Sequence, residues 1–189
     1  MTGMNGMHAL WLPIVLSAVF AFIASSLIHM KTHWHASDYT KLANEDAIMN
    51  ALRPFAIPPG DYGMPRPNDM QDMGSPEFKE KMTKGPKIMM TVLSPGMTGM
   101  GKQLAGWFVF LLAIDFFAAY VAGRALRSGA TYLEVFRFVG VTAFLGLSGA
   151  LWPLRMWFQR SLTTTIKATL DGLLYALFAA GTFGWLWPR

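Results

Sequence analysis

The chain has no cysteine, only four histidines and few charges. Without thiols there is no disulfide, no thiolate metal site and no cysteine nucleophile. Charged residues fill 14% of the 189 positions, against about a quarter in a soluble domain, so there is too little charge to coat a soluble core. Basic residues outnumber acids, 16 to 11, for a formal charge of +5. They are scattered through loops and helix ends, with no aromatic-rich basic stripe to track phosphates. No nucleic-acid partner is therefore expected, and the charge suits a neighbour of anionic lipid. A phosphate-binding glycine loop, a Ser/His/Asp constellation and an HExxH motif are all missing, so no catalytic residues are assigned.

What the chain does have is apolar runs: it is 53% hydrophobic, with a mean hydropathy of +0.33. The first run, residues 10–30, holds about twenty uncharged residues, enough helix to cross the ~30 Å hydrocarbon core of a bilayer. Its start lacks the basic region of a secretory signal and the run exceeds a signal core, so it reads as a retained helix. Further spans are expected at about 104–126, 136–154 and 170–187. Trp152, Arg155, Trp157 and Arg160 have the composition of a membrane–water interface and suit headgroup contact. The expected fold is an all-α membrane protein, a four-transmembrane-helix bundle with a small mixed extramembrane cap between helices 1 and 2. Residues 1–30 carry helix 1, 31–103 form the cap and 104–189 carry helices 2–4, with both termini on one side.

Within the cap, Asn44 is a candidate N-cap for a short helix closed by Arg53 and Pro54. Ser75 and Pro76 start another, which Gly85 and Pro86 stop. The apolar stretch 87–96 reads as a strand pairing with the region 57–62. Each span also shows small residues at spacing four: Ser17, Ala21 and Ser25; Ala119 and Gly123; Thr142, Gly146 and Ala150; Ala176, Ala180 and Gly184. Close backbone approach at such stripes is how membrane helices associate. Lys and Arg counts at the helix ends nearly balance. Cytoplasmic termini with a periplasmic cap are expected because long polar segments translocate largely regardless of charge.

Three groups of residues bear on chemistry. His29, His33 and His35 lie with Asp38 where helix 1 leaves the membrane, and imidazole suits zinc, copper, nickel or iron. The alternative is interfacial histidines bonded to loop backbone or headgroups. Methionine is dense in the polar segment, with Met70 and Met73, and Met97 and Met100, at spacing three. Thioether selects Cu(I), so copper handling is coherent, as is a Met-rich docking surface. The metal ligands read from the sequence are His29, His33, His35, Asp38, Met70 and Met73, with copper or zinc as the candidate ion. Asp115 sits mid-span, where a carboxylate costs roughly 2.5–3.5 kcal/mol on insertion scales. It reads as facing the bundle interior, either handling protons or cations or as a neutral acid bonded to a Ser, Thr or backbone carbonyl of a neighbouring helix. Lys167 and Asp171 read as a spacing-four pair near a helix end.

The segments SSLIHM at 25–30, WHASDY at 34–39, NEDAIMNALRPFAIPPGDY at 44–62 and the ending AGTFGWLWPR resemble a family of bacterial four-span inner-membrane proteins. The resemblance implies a bacterial origin and an integral inner-membrane location, and brings no activity, ligand or catalytic residue with it. Taken together, the expected function is a non-catalytic accessory or assembly subunit of a bacterial membrane complex, its cap docking a protein partner or a second copy of itself. Metal binding through the His/Met-rich segment is the alternative, and a small proton- or ion-conducting bundle around Asp115 the weaker one.

Overall fold

The structure, a computed structural model, describes residues 7–96 and 99–189; Met97 of the expected Met97/Met100 pair lies outside them. The described chain divides into two units, residues 7–40 with 99–189, and residues 41–96. The sequence places the edges of the extramembrane segment at 31 and 103. In the structure the residues just after the first helix group with the helices instead, because Lys167 of the last span holds the Trp34 carbonyl, Ser37 and Asp38.

Four helices of the first unit are long and apolar enough to cross a membrane, and the protein is a multi-pass membrane protein. They include α1 (Trp11–Lys31), whose 21 residues extend about 30 Å. The short α2 (Glu45–Leu52) and α3 (Pro76–Lys84) belong to the second unit, and α4 (Gly101–Ala125) returns to the first. The third apolar stretch is longer than expected and is not one uniform helix. It runs as α5 (Tyr132–Ser148) and, after Gly149 and Ala150, as the short α6 (Leu151–Phe158). Its early start is set by a capping box, in which Thr131 and Glu134 bond each other's backbone N–H groups. The last span, α7 (Leu162–Leu186), likewise starts before the expected position 170, because Ser161 caps its first turn.

Each span packs on two neighbours, α1 on α4 and α7, and α5 on α4 and α7. The least apolar span, α7, has a mean hydropathy of 1.2 against 2.2 for α1, and is the most enclosed. Its polar positions therefore point into protein rather than lipid. Two of the small-residue stripes behave as expected. Ser17, Ala21 and Ser25 are buried, as are Ala176 and Ala180, and the second stripe broadens to Ala118, Ala119, Ala122 and Gly123. The third holds only in part: Gly146 approaches Ile114 of α4 closely, but Val135, Val139 and Ala143 form the buried row of α5, while Thr142 is half-buried, bonding its own helix at Phe138, and Ala150 is exposed. Close approach between α5 and α7 comes instead from Gly140 against Ala180 and Gly172 against Ser148. At the end of the bundle where α1 begins and α7 ends, Gly129 takes a positive φ of 77° in the α4–α5 turn and donates to the Pro188 carbonyl.

Asp115 faces the interior, where the Ser17 hydroxyl of α1 meets its carboxyl at 2.7 Å. This is the structural pairing anticipated from the sequence. Ser17→Ala removes the only partner of Asp115 among the described residues, and the expected loss is about 0.6–1.7 kcal/mol, the span measured for membrane side-chain hydrogen bonds. Reversible unfolding in mixed micelles reads it directly; an unchanged unfolding free energy would mean the carboxyl is satisfied elsewhere.

The second unit carries α2, α3 and an antiparallel pair, β1 (Gly60–Met64) and β2 (Ile88–Val92), in the register Gly60 to Val92 and Met64 to Ile88. The pairing falls where the sequence suggests, shifted a few residues toward the glycines. Ser75 caps α3 by accepting from the Phe78 N–H, whereas Asn44 precedes α2 without a side-chain capping bond. Phe78 is the only buried apolar side chain among the described residues of this unit. With so small a core, the unit has little hydrophobic stabilisation of its own.

Candidate metal centre

The site lies at the end of the bundle where α1 ends and α7 begins. His29 occupies the last turn of α1. Its Nδ1 lies 2.9 Å from the carbonyl of Ser25, one turn back. A carbonyl can only accept, so Nδ1 carries the proton and Nε2 presents a lone pair. The chain then turns through residues 32–40 and brings the His35 ring parallel to that of His29, with centroids 4.3 Å apart and planes inclined by 11°.

His35 is held from both sides. Its Nδ1 is 2.7 Å from Asp38 Oδ2, three residues on. Its Nε2 is 2.8 Å from Asp171 Oδ2 on α7, close enough for an ion pair, yet the contact is poorly aligned and Nε2 has no hydrogen bond. With the Nδ1 proton directed at Asp38, a neutral ring has no proton on Nε2 to offer the Asp171 carboxylate. A second ring proton or a metal cation at Nε2 would answer that carboxylate. Two bonds of about 2.0–2.1 Å at a tetrahedral angle would separate the donors by roughly 3.3 Å, a few tenths more than observed. One donor atom from each of His29, His35 and Asp171 lies within 4.8 Å of the others.

The loop bearing His35 is fastened by Lys167 of α7. Its Nζ donates to the Trp34 carbonyl at 2.6 Å and to Ser37 Oγ at 2.9 Å, and pairs with Asp38 Oδ1 at 3.3 Å. The ammonium also lies 5.5 Å from the centre of the Trp34 ring. Burial on its own would raise the Asp38 carboxyl. Hydrogen bonds from His35 and Lys167, together with their charge, outweigh it and hold the group below the usual carboxylate range. Asp38 thus stays ionised and orients His35 through Nδ1, in the carboxylate–histidine–metal arrangement.

Of the residues read from the sequence, His29 and His35 are donors in this cluster and Asp38 stands behind His35. His33 is exposed and outside the cluster. Met70 and Met73 belong to the second unit and are exposed there; the thioethers lining the cavity at this site are Met30 and Met100. The expected spacing-four pair is corrected. Lys167 bonds Asp38 and Asp171 faces His35, because both side chains turn inward on the most enclosed helix. Asp171 was the donor overlooked. Its signal was an acid in an otherwise apolar span, which faces protein by default.

A cavity of about 560 Å³ opens beside the donors, lined by His29, His35 and Asp171 and by residues of α1, α4, α5, α6 and α7. Asp115 is not part of its wall. The chain matches no family model, no curated protein and no solved structure.

Proposed function

We propose that this protein binds a divalent metal ion, zinc foremost, on His29, His35 and Asp171 at the membrane edge. The observation that carries the proposal is the His35 ring, with Nδ1 committed to Asp38 and Nε2 facing the Asp171 carboxylate without a hydrogen bond. Two imidazoles and a carboxylate form the donor set of open zinc sites, in which a fourth position faces a cavity. The same set also accommodates Fe(II). Cu(I), favoured by a sequence rich in methionine, prefers thioethers, and here it would depend on Met30 and Met100.

Protein purified in mild detergent, stripped with chelator and dialysed against zinc, Fe(II) or Cu(I), should retain one zinc per chain by plasma mass spectrometry. Failure to retain any of the three metals rejects the proposal, and retention of Cu(I) alone restores the copper reading.

The setting proposed with it is the bacterial inner membrane, with cytoplasmic termini and a periplasmic second unit. Its support is the resemblance of the segments at 25–30, 34–39 and 44–62, and the ease with which long polar segments translocate. A second reading is favoured by one observation: among its described residues the second unit buries only Phe78 and exposes Phe55, Met70, Met89 and Leu93. Such a surface suits an accessory or assembly subunit docking a protein partner or a second copy of itself. Co-purification and in-membrane crosslinking from these positions test it; no crosslinked species would remove it.

A further inference from the structure

The cavity beside the three donors is larger and more apolar than a metal ion requires. Its volume of about 560 Å³ falls within the ~300–1,000 Å³ of small-molecule sites. Much of the wall is hydrocarbon, from Leu104, Trp107, Leu147 and Leu151. Trp107 is fixed there by its indole N–H, which donates to Ser25 Oγ at 2.9 Å. A wall of this kind suits the alkyl chain of an amphiphile.

Two further side chains in the wall are short of partners. Tyr175 is 3% exposed, and its hydroxyl meets no hydrogen-bond partner. Buried polar groups are nearly always satisfied, so an orphaned hydroxyl at a cavity wall points to a bound group that completes it. Arg160 is half-buried in the same wall and pairs with no carboxylate among the described residues. A hydroxyl donor, a guanidinium and the open position of a cation all favour a ligand rich in acceptor oxygens and negative charge.

We infer that the cavity takes an anionic amphiphile, a carboxylate or phosphate head with an alkyl chain. The head is drawn to the metal's open position, Tyr175 and Arg160, while the chain lies along Leu104, Trp107, Leu147 and Leu151. The inference rests on the metal proposal, because without a cation the Asp171 carboxylate in the same wall repels an anionic head.

The test is calorimetric titration of the zinc-loaded full chain in a neutral maltoside detergent. The ligands are dodecyl phosphate, dodecanoate, inorganic phosphate and dodecanol. At least one of the first two should bind at least about tenfold more tightly than both of the last two, and the tighter of the pair names the head. Inorganic phosphate binding as well as dodecyl phosphate overturns the role of the apolar wall, and dodecanol binding as well as the anions overturns the anionic head. Zinc retained with no anion-dependent binding rejects this inference and leaves the metal proposal standing; zinc not retained rejects both. In variants, Arg160→Gln should weaken the anion about tenfold or more and Tyr175→Phe about three- to tenfold, as loss of a charge-assisted and a neutral hydrogen bond implies. Tyr175→Phe should also keep its zinc and melt at a higher temperature without ligand, since it deletes an unsatisfied buried hydroxyl. Unchanged anion affinity in both variants overturns the assignment of the head group's partners.

Discussion

Asp171→Asn is expected to cut zinc affinity at least about a hundredfold while leaving the apo protein as stable as before. The carboxylate is one of three donors, and a neutral amide is a poor substitute on a divalent ion; even partners behind the ligands are worth 10–100-fold. The fold should tolerate the change for a local reason. Asp171 Oδ2 lies 2.8 Å from an unbonded His35 Nε2, and an amide at that point can donate to the neutral ring. His35→Ala should lose zinc to the same degree and Asp38→Asn about 10–100-fold, with His33→Ala and Met70→Leu/Met73→Leu unchanged. Competition against a fluorescent chelator gives all five constants. Wild-type affinity in Asp171→Asn would remove α7 from the site.

Lys167→Met should have the largest effect on stability, about 2–3 kcal/mol. The substitution keeps the length and apolar stem but removes the ammonium that holds the Trp34 carbonyl, Ser37 and Asp38. Hydrogen bonds to a charged group are worth about 1.5–3 kcal/mol, and of the partners left behind Asp38 is half-buried while Trp34 and Ser37 are exposed. The pH dependence has a defined sign. The Asp38 carboxyl titrates lower in the folded protein than its ordinary value, so its ionised form adds stability above the usual carboxylate range, and that stability is lost as pH falls through the lowered value. Wild type and Lys167→Met should therefore differ most near neutrality, and the gap should narrow in strong acid to what the Trp34 carbonyl and Ser37 contacts contribute. A pH-independent gap would take Asp38 out of the effect. Because the loop carries His35, the variant should also bind zinc more weakly, which separates it from a general defect in the bundle.

The four spans were legible because each is an apolar run long enough to cross lipid, a property of consecutive residues. The buried row of α5 was less so. Spacing four selects Thr142, Gly146 and Ala150 as readily as Val135, Val139 and Ala143, and the choice is made by the neighbouring helices, which a single stretch does not contain. The site was half legible for the same reason. His29 and His35 are six residues apart and announce themselves. Asp171 follows more than 130 residues later, and at spacing four from Lys167 it fits an exposed helical pair. In the structure both side chains leave that pairing for the loop after α1, because α7 is enclosed and its polar groups must find partners inside. Methionine abundance did not single out Met30 and Met100, the thioethers that line the cavity, because abundance in a segment says nothing about which side chains the fold brings together.

Order of synthesis gives the Lys167 and Asp171 contacts a further meaning. During translation α1 enters the membrane first, followed by the histidine loop, while α7 is the last of the four spans to be made. Until it inserts, the loop has neither its fastener nor its carboxylate, and the imidazoles can hold a metal only weakly. A chain stalled after α5, or one whose final span fails to insert, would therefore carry the histidines without the site. On the proposed metal reading, tight capture of the ion would report a completed insertion and so mark finished biogenesis.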